Sequence, residues 1–200
     1  QFVKFYIINT QAKQTRYKSM IIDCFPIKKS VDDARQEAGK RGFIARLLSW
    51  RRSDREITMR TIYIENRLIT FDITTMPPFF AQLFRKNVLP GKSRIEMIAN
   101  GSTMGISYYD RRGVEIVQRN VDDEDVQLSD YSDDKLILRA NVLARRILRR
   151  RVGGRMQLNV AEVRSVFRPY HVAFFGKPTE GEKVYYIPIA ADGCVIARTF

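Results

Sequence analysis

The chain has 200 residues, 44% hydrophobic and 28% charged, a composition that excludes disorder and collagen-like repeats and suits one globular domain or two small ones. No apolar run approaches the roughly 18 residues of a spanning helix, so no transmembrane segment is expected. The net charge of +13 rests on 24 Arg and 11 Lys against 22 acids, which argues for an anionic partner rather than a neutral one. Arginine grips phosphate or carboxylate with a two-pronged fork, whereas lysine acts as a point charge.

Taken in chain order, Phe2 to Thr10 and Arg16 to Ile27 read as strands, rich in aromatic and β-branched residues. Ser30 reads as a helix N-cap, with Asp32 and Asp33 in the first turn. That helix is expected to be interrupted at Gly39 or Gly42, with a second short helical stretch from Phe43 to Arg52. Met59 to Glu65 and Leu68 to Ile73 read as two strands turning at Asn66-Arg67. Arg94 to Ala99, Thr103 to Tyr109 and Val114 to Arg119 read as a three-stranded meander, with turns at Asn100-Gly101 and at Asp110 to Gly113. An acidic stretch follows from Val121 to Asp134, and then the longest helix, capped by Ser132 and stopped by Gly153-Gly154. Val160 to Phe175 reads as a strand kinked at Pro169, and a last hairpin turns at Asp192-Gly193.

The order of pieces repeats: a Ser-capped helix, then strand, then a hairpin closed by Asn-Gly or Asp-Gly. The expected fold class is therefore α+β, with antiparallel hairpins and meanders packed on two main helices. Residues 1–120 and 121–200 would form its two halves, arranged as pseudo-symmetric subdomains from an internal duplication within one compact unit.

The chemistry concentrates on the long helix. At 100° per residue, Leu136, Ile137, Ala140, Leu143, Ala144, Ile147 and Leu148 share one side. Lys135, Arg139, Arg145, Arg146, Arg149 and Arg150 gather on the opposite arc, with Leu138 and Val142 among them. Such a face suits nucleic-acid phosphates, lipid headgroups or an acidic protein surface. Two competing accounts need no partner: arginines in the last turns complement the helix dipole, and the acidic stretch just before the helix folds back onto them. Arg168, beside Tyr170, is a further candidate for anion contact, with stacking nearby. Trp50, Arg51 and Arg52, at the end of an apolar helical stretch, have the composition of an interfacial anchor.

Enzyme motifs are scarce. His171 is the only histidine, so a His-rich zinc site cannot be built. Gly101 to Gly105 has the wrong spacing for a phosphate loop, and the acidic stretch lacks the ligand pattern of an EF-hand. No catalytic residue, metal ligand or cofactor is assigned. Cys24 and Cys194 are too few for a disulfide framework, and their pairing is left open. Their scarcity favours the cytoplasm, while a chain opening at Gln1 leaves a trimmed secreted or membrane-tethered form open. The expected function is a non-catalytic binding or accessory domain for an anionic partner: nucleic acid, an anionic membrane surface or an acidic protein. The alternatives are an enzyme acting on a phosphate- or carboxylate-bearing substrate, and an assembly subunit forming homo-oligomers through hairpin edges.

Overall fold

The computed structural model describes residues 19–48, 57–75, 91–110, 115–151, 156–175 and 185–193, with backbone alone at 42–48, 151 and 185. The elements run β1 (Ser19–Cys24), α1 (Val31–Leu48), β2 (Ile57–Thr75), β3 (Gly91–Asn100), β4 (Ile106–Tyr108) and β5 (Val117–Asp122). A one-turn 3-10 helix (Asp123–Asp125), β6 (Val126–Gln127), α2 (Asp133–Arg151), β7 (Met156–Phe175) and β8 (Tyr185–Ala190) complete them. The fold is mixed α and β, with a mostly antiparallel eight-stranded sheet in the order β4-β3-β2-β7-β1-β5; β6 pairs with β2, and β8 with β7.

The chain divides into two compact units. The first takes β1, α1, β2 through Glu65, residues 115–128, and β7 from Phe167 onward with β8. The second takes β2 from Asn66 onward, β3, β4, α2 and β7 through Val166. Each unit thus draws on both halves of the sequence.

In the first unit, Ser30 caps α1. Its hydroxyl accepts from the Asp33 backbone N–H at 3.1 Å and donates to the Asp33 carboxylate at 2.7 Å, so a free donor of the first turn is satisfied. Ala34 and Ala38, one turn apart and fully buried, share a cluster with Ala173, Ile187 and Ile189. A second cluster gathers Ile22, Cys24, Tyr63, Val121 and Phe167. Cys24 is a free thiol, and its burial pushes its pKa up, outweighing the nearby Arg119 charge.

Helix α1 runs without a break through Gly39 and Gly42, where the sequence suggested an interruption. Glycine weakens a helix by about 1 kcal/mol but does not stop one that is held elsewhere. A methyl group at Gly39 would meet nothing within 4 Å. Gly39→Ala is therefore expected to stabilise the protein by about 0.5–1 kcal/mol, chiefly by narrowing the unfolded ensemble. A lowered midpoint in chemical denaturation would contradict it.

Further along α1, Glu37 binds Lys29 at 2.5 Å and also pairs with Arg41, one turn on. The Lys29 hydrogen bond, aided by the Arg41 charge, holds the Glu37 carboxyl below its usual range. A carboxylate with a lowered folded pKa contributes stability above its ordinary value of about 4.3 and loses it as pH falls through the folded value. Glu37→Gln should therefore cost about 0.5–1 kcal/mol near neutral pH and almost nothing in acid, as urea midpoints at the two pH values would report. A cost that persists in acid would mean the ion pairs contribute nothing.

In the second unit, alternate residues of β2 (Ile69, Phe71, Ile73) and β3 (Ile95, Met97, Ala99) cluster with Leu136, Ala140, Ala144 and Leu148 of α2. The register places Ile69 opposite Met97 and Phe71 opposite Ile95, as a period of two on paired strands requires. The α2 contributors recur every fourth residue, one stripe of the helix.

Three strand expectations are corrected. Asn66-Arg67 is no turn; β2 passes straight through, and Asn66 pairs with Asn100 in the ladder with β3. Asn66 is 1% exposed and its side-chain amide has no hydrogen-bond partner among the described residues, so a residue with turn preference has been overridden by its strand neighbours. The third arm of the expected meander, β5, pairs along its whole length with β1 rather than with β4. At the β3–β4 connection the Asn100 side chain accepts from the Ser102 and Thr103 N–H groups at 2.9 Å. The left-handed residue there is Met104 (φ 54°), not Gly101. At the other turn Gly193 does take positive φ, 67°. The expected strands at 2–10 and 194–199 lie outside the described residues.

Candidate anion-binding face

Helix α2 turns its apolar stripe into the second unit's core, which fixes what faces outward. Lys135, Arg139, Arg146, Arg149 and Arg150 are exposed and Arg145 is half-buried. The nearest polar partners are neutral: Arg145 Nε donates to the Asn141 amide oxygen at 2.6 Å, and Arg139 Nη1 lies 4.0 Å from the Met104 sulfur. No carboxylate among the described residues lies within ion-pair distance of Arg139, Arg145, Arg146, Arg149 or Arg150.

Three of the acids just before and at the start of the helix are engaged elsewhere. Glu124 and Asp125 hold Arg60 at 3.2 and 2.7 Å, and Asp133 holds Arg67 at 2.7 Å. Arg67 also donates to the Ser165 hydroxyl at 3.1 Å, tying the start of α2 to β2 and β7 within the second unit. Asp72 takes Arg94 at 2.8 Å. Glu124, Asp125 and Asp133 therefore pair with β2 arginines rather than with the α2 arc.

Arg168 does not join that face. It is 3% exposed and binds Asp192, itself 1% exposed, through Nε at 2.5 Å and Nη2 at 3.0 Å. Its guanidinium also lies over the Tyr170 ring, 5.4 Å from the centroid. The sequence signal for this pair was available, since Asp192 precedes the glycine of a turn, but nothing local says that the turn folds onto Arg168. Trp50, Arg51 and Arg52 lie outside the described residues.

His171 is held at both ring nitrogens and is 2% exposed. The Lys29 carbonyl, 2.9 Å from Nε2, can only accept, so Nε2 carries a hydrogen. Thr61 Oγ1 sits 3.0 Å from Nδ1. Both contacts bind segments of the first unit together. A cleft of about 300 Å³ in the first unit is lined by Thr61, Tyr63, Arg119, Asp122 and Asp125 among others. Arg119 there donates to the Tyr63 hydroxyl at 3.0 Å, and Asp125 is already bound to Arg60. Among the described residues no group of His, Cys, Asp and Glu is arranged to hold a metal ion, and no helix is long and apolar enough to cross a membrane.

Comparison with family models, curated proteins and solved structures finds no match to this chain.

Proposed function

We propose that this chain is a binding or accessory module that engages an anionic partner through the outer face of α2. The observation that carries the reading is the contrast between two sets of arginines. Arg41, Arg60, Arg67, Arg94 and Arg168 each meet a carboxylate, whereas Arg139, Arg145, Arg146, Arg149 and Arg150 line one helix and meet none among the described residues. Exposed like charges spaced along a helix repel one another by a few tenths of a kcal/mol per pair, a cost relieved by an anion from outside. The helix dipole accounts for a preference for cations in the last turn, around Arg149 and Arg150, but not for Arg139 near the middle.

Salt-gradient elution from heparin tests the reading. Wild type is expected to elute late, and a variant with Arg145, Arg146, Arg149 and Arg150 all changed to Gln to elute early. Early elution of both proteins would sink the proposal.

We further propose that the chain arose by internal duplication. The succession α1, β2, β3 from Val31, Ile57 and Gly91 is matched by α2, β7, β8 from Asp133, Met156 and Tyr185. Both long strands also change unit partway along, at Glu65/Asn66 and at Val166/Phe167. On this reading each ancestral helix sits with strands of the other copy, an exchange of like elements of the kind seen in domain swapping.

A further inference from the structure

We infer that the anionic partner is a lipid bilayer surface, on which α2 lies with Leu138 and Val142 inserted between headgroups. This rests on the anion-binding reading of the same face and specifies its partner. Leu138 is 69% exposed and Val142 55%, and their spacing of four positions places the two side chains one turn apart on the same side. On a helical projection they occupy the middle of the outer arc, with Arg145 on one flank and Arg139 and Arg146 on the other. Arg149 continues the ridge toward the C-terminus. Two aliphatic side chains left in water at the centre of a cationic arc match the layered chemistry of an interface, with acyl chains beneath and phosphates at the level of the guanidinium groups. Arginine stems lie along the apolar layer while their forks reach the phosphates. A nucleic-acid backbone offers nothing apolar to Leu138 and Val142, and α2 carries no aromatic side chain on which a base could stack.

Flotation of the full chain with unilamellar vesicles separates the outcomes. Wild type should bind vesicles containing phosphatidylglycerol, fall off as salt rises, and leave pure phosphatidylcholine vesicles unbound. Leu138→Gln with Val142→Gln keeps every charge and alters only exposed positions; it should weaken vesicle binding by roughly tenfold or more while heparin elution stays unchanged. Equal vesicle binding by wild type and this variant would overturn the inference. So would heparin or duplex DNA binding without vesicle binding, an outcome that leaves the anion-binding reading standing. Failure to bind heparin, DNA and vesicles alike would remove both.

Discussion

Replacing Arg168 with Ala is expected to destabilise the protein by about 3–5 kcal/mol, because it leaves the Asp192 carboxylate buried without its guanidinium. Asp192 is 1% exposed and both its oxygens are bonded to Arg168. The reverse change, Asp192→Ala, removes the buried carboxylate from the arginine instead and should cost a similar amount. For a chain of this length that corresponds to a fall in Tm of about 6–20 °C. The pair as a whole is a different matter. Arg168→Met combined with Asp192→Asn removes both charges together and should recover much of the loss, since desolvation of two ions offsets most of their attraction. Thermal unfolding of the two single variants and the double variant measures all three quantities. Single-variant losses under 1 kcal/mol would mean that the pair opens to water. An arginine this buried and this committed ties strand β7 to the turn at Asp192-Gly193.

Changing Arg145, Arg146, Arg149 and Arg150 to Gln is expected to do the opposite, leaving stability nearly intact and removing binding. Glutamine is close to arginine in helix propensity, and these side chains have no carboxylate partner to lose among the described residues. The cost in stability should stay within about 1 kcal/mol, mostly from the helix dipole at the C-terminal end. Against an anionic surface each cation contributes about 1 kcal/mol, so four of them amount to a loss in affinity on the order of a thousandfold. Unfolding midpoints and a titration of the same two proteins report both numbers. A variant that unfolds and loses binding together would leave the face structural rather than functional.

The features legible in the sequence are those set locally. Ser30 reads as a cap because its hydroxyl needs only the N–H three residues on. The recurrence of Leu136, Ala140, Ala144 and Leu148 marks the buried stripe of α2, and by subtraction its arginine arc, because helix geometry ties both to spacing alone. What the sequence conceals is the choice of distant partner. Val117 to Asp122 follows β4 along the chain and pairs with β1. Asn66 carries a turn residue's chemistry into the middle of β2, where pairing with β3 decides the outcome. The acids at 124, 125 and 133 stand beside α2 in sequence and bind Arg60 and Arg67 in space. That last fact separates a cationic face from an internally neutralised one, and spacing alone does not contain it. Arg168 is the converse case, an apparent surface cation that a distant aspartate draws inside.

A net charge of +13 will draw any such protein toward polyanions to some degree, so the decisive comparison holds charge constant. One variant loses Arg145, Arg146, Arg149 and Arg150 from α2; the other loses Lys28, Arg35, Lys40 and Lys92, which are exposed and lie elsewhere. All are changed to Gln, and salt-gradient elution from heparin is measured for both beside wild type. Loss of retention in the α2 variant alone is the predicted result, marking a face that binds. Equal loss in both would show that retention follows total charge, and would contradict the assignment of binding to α2.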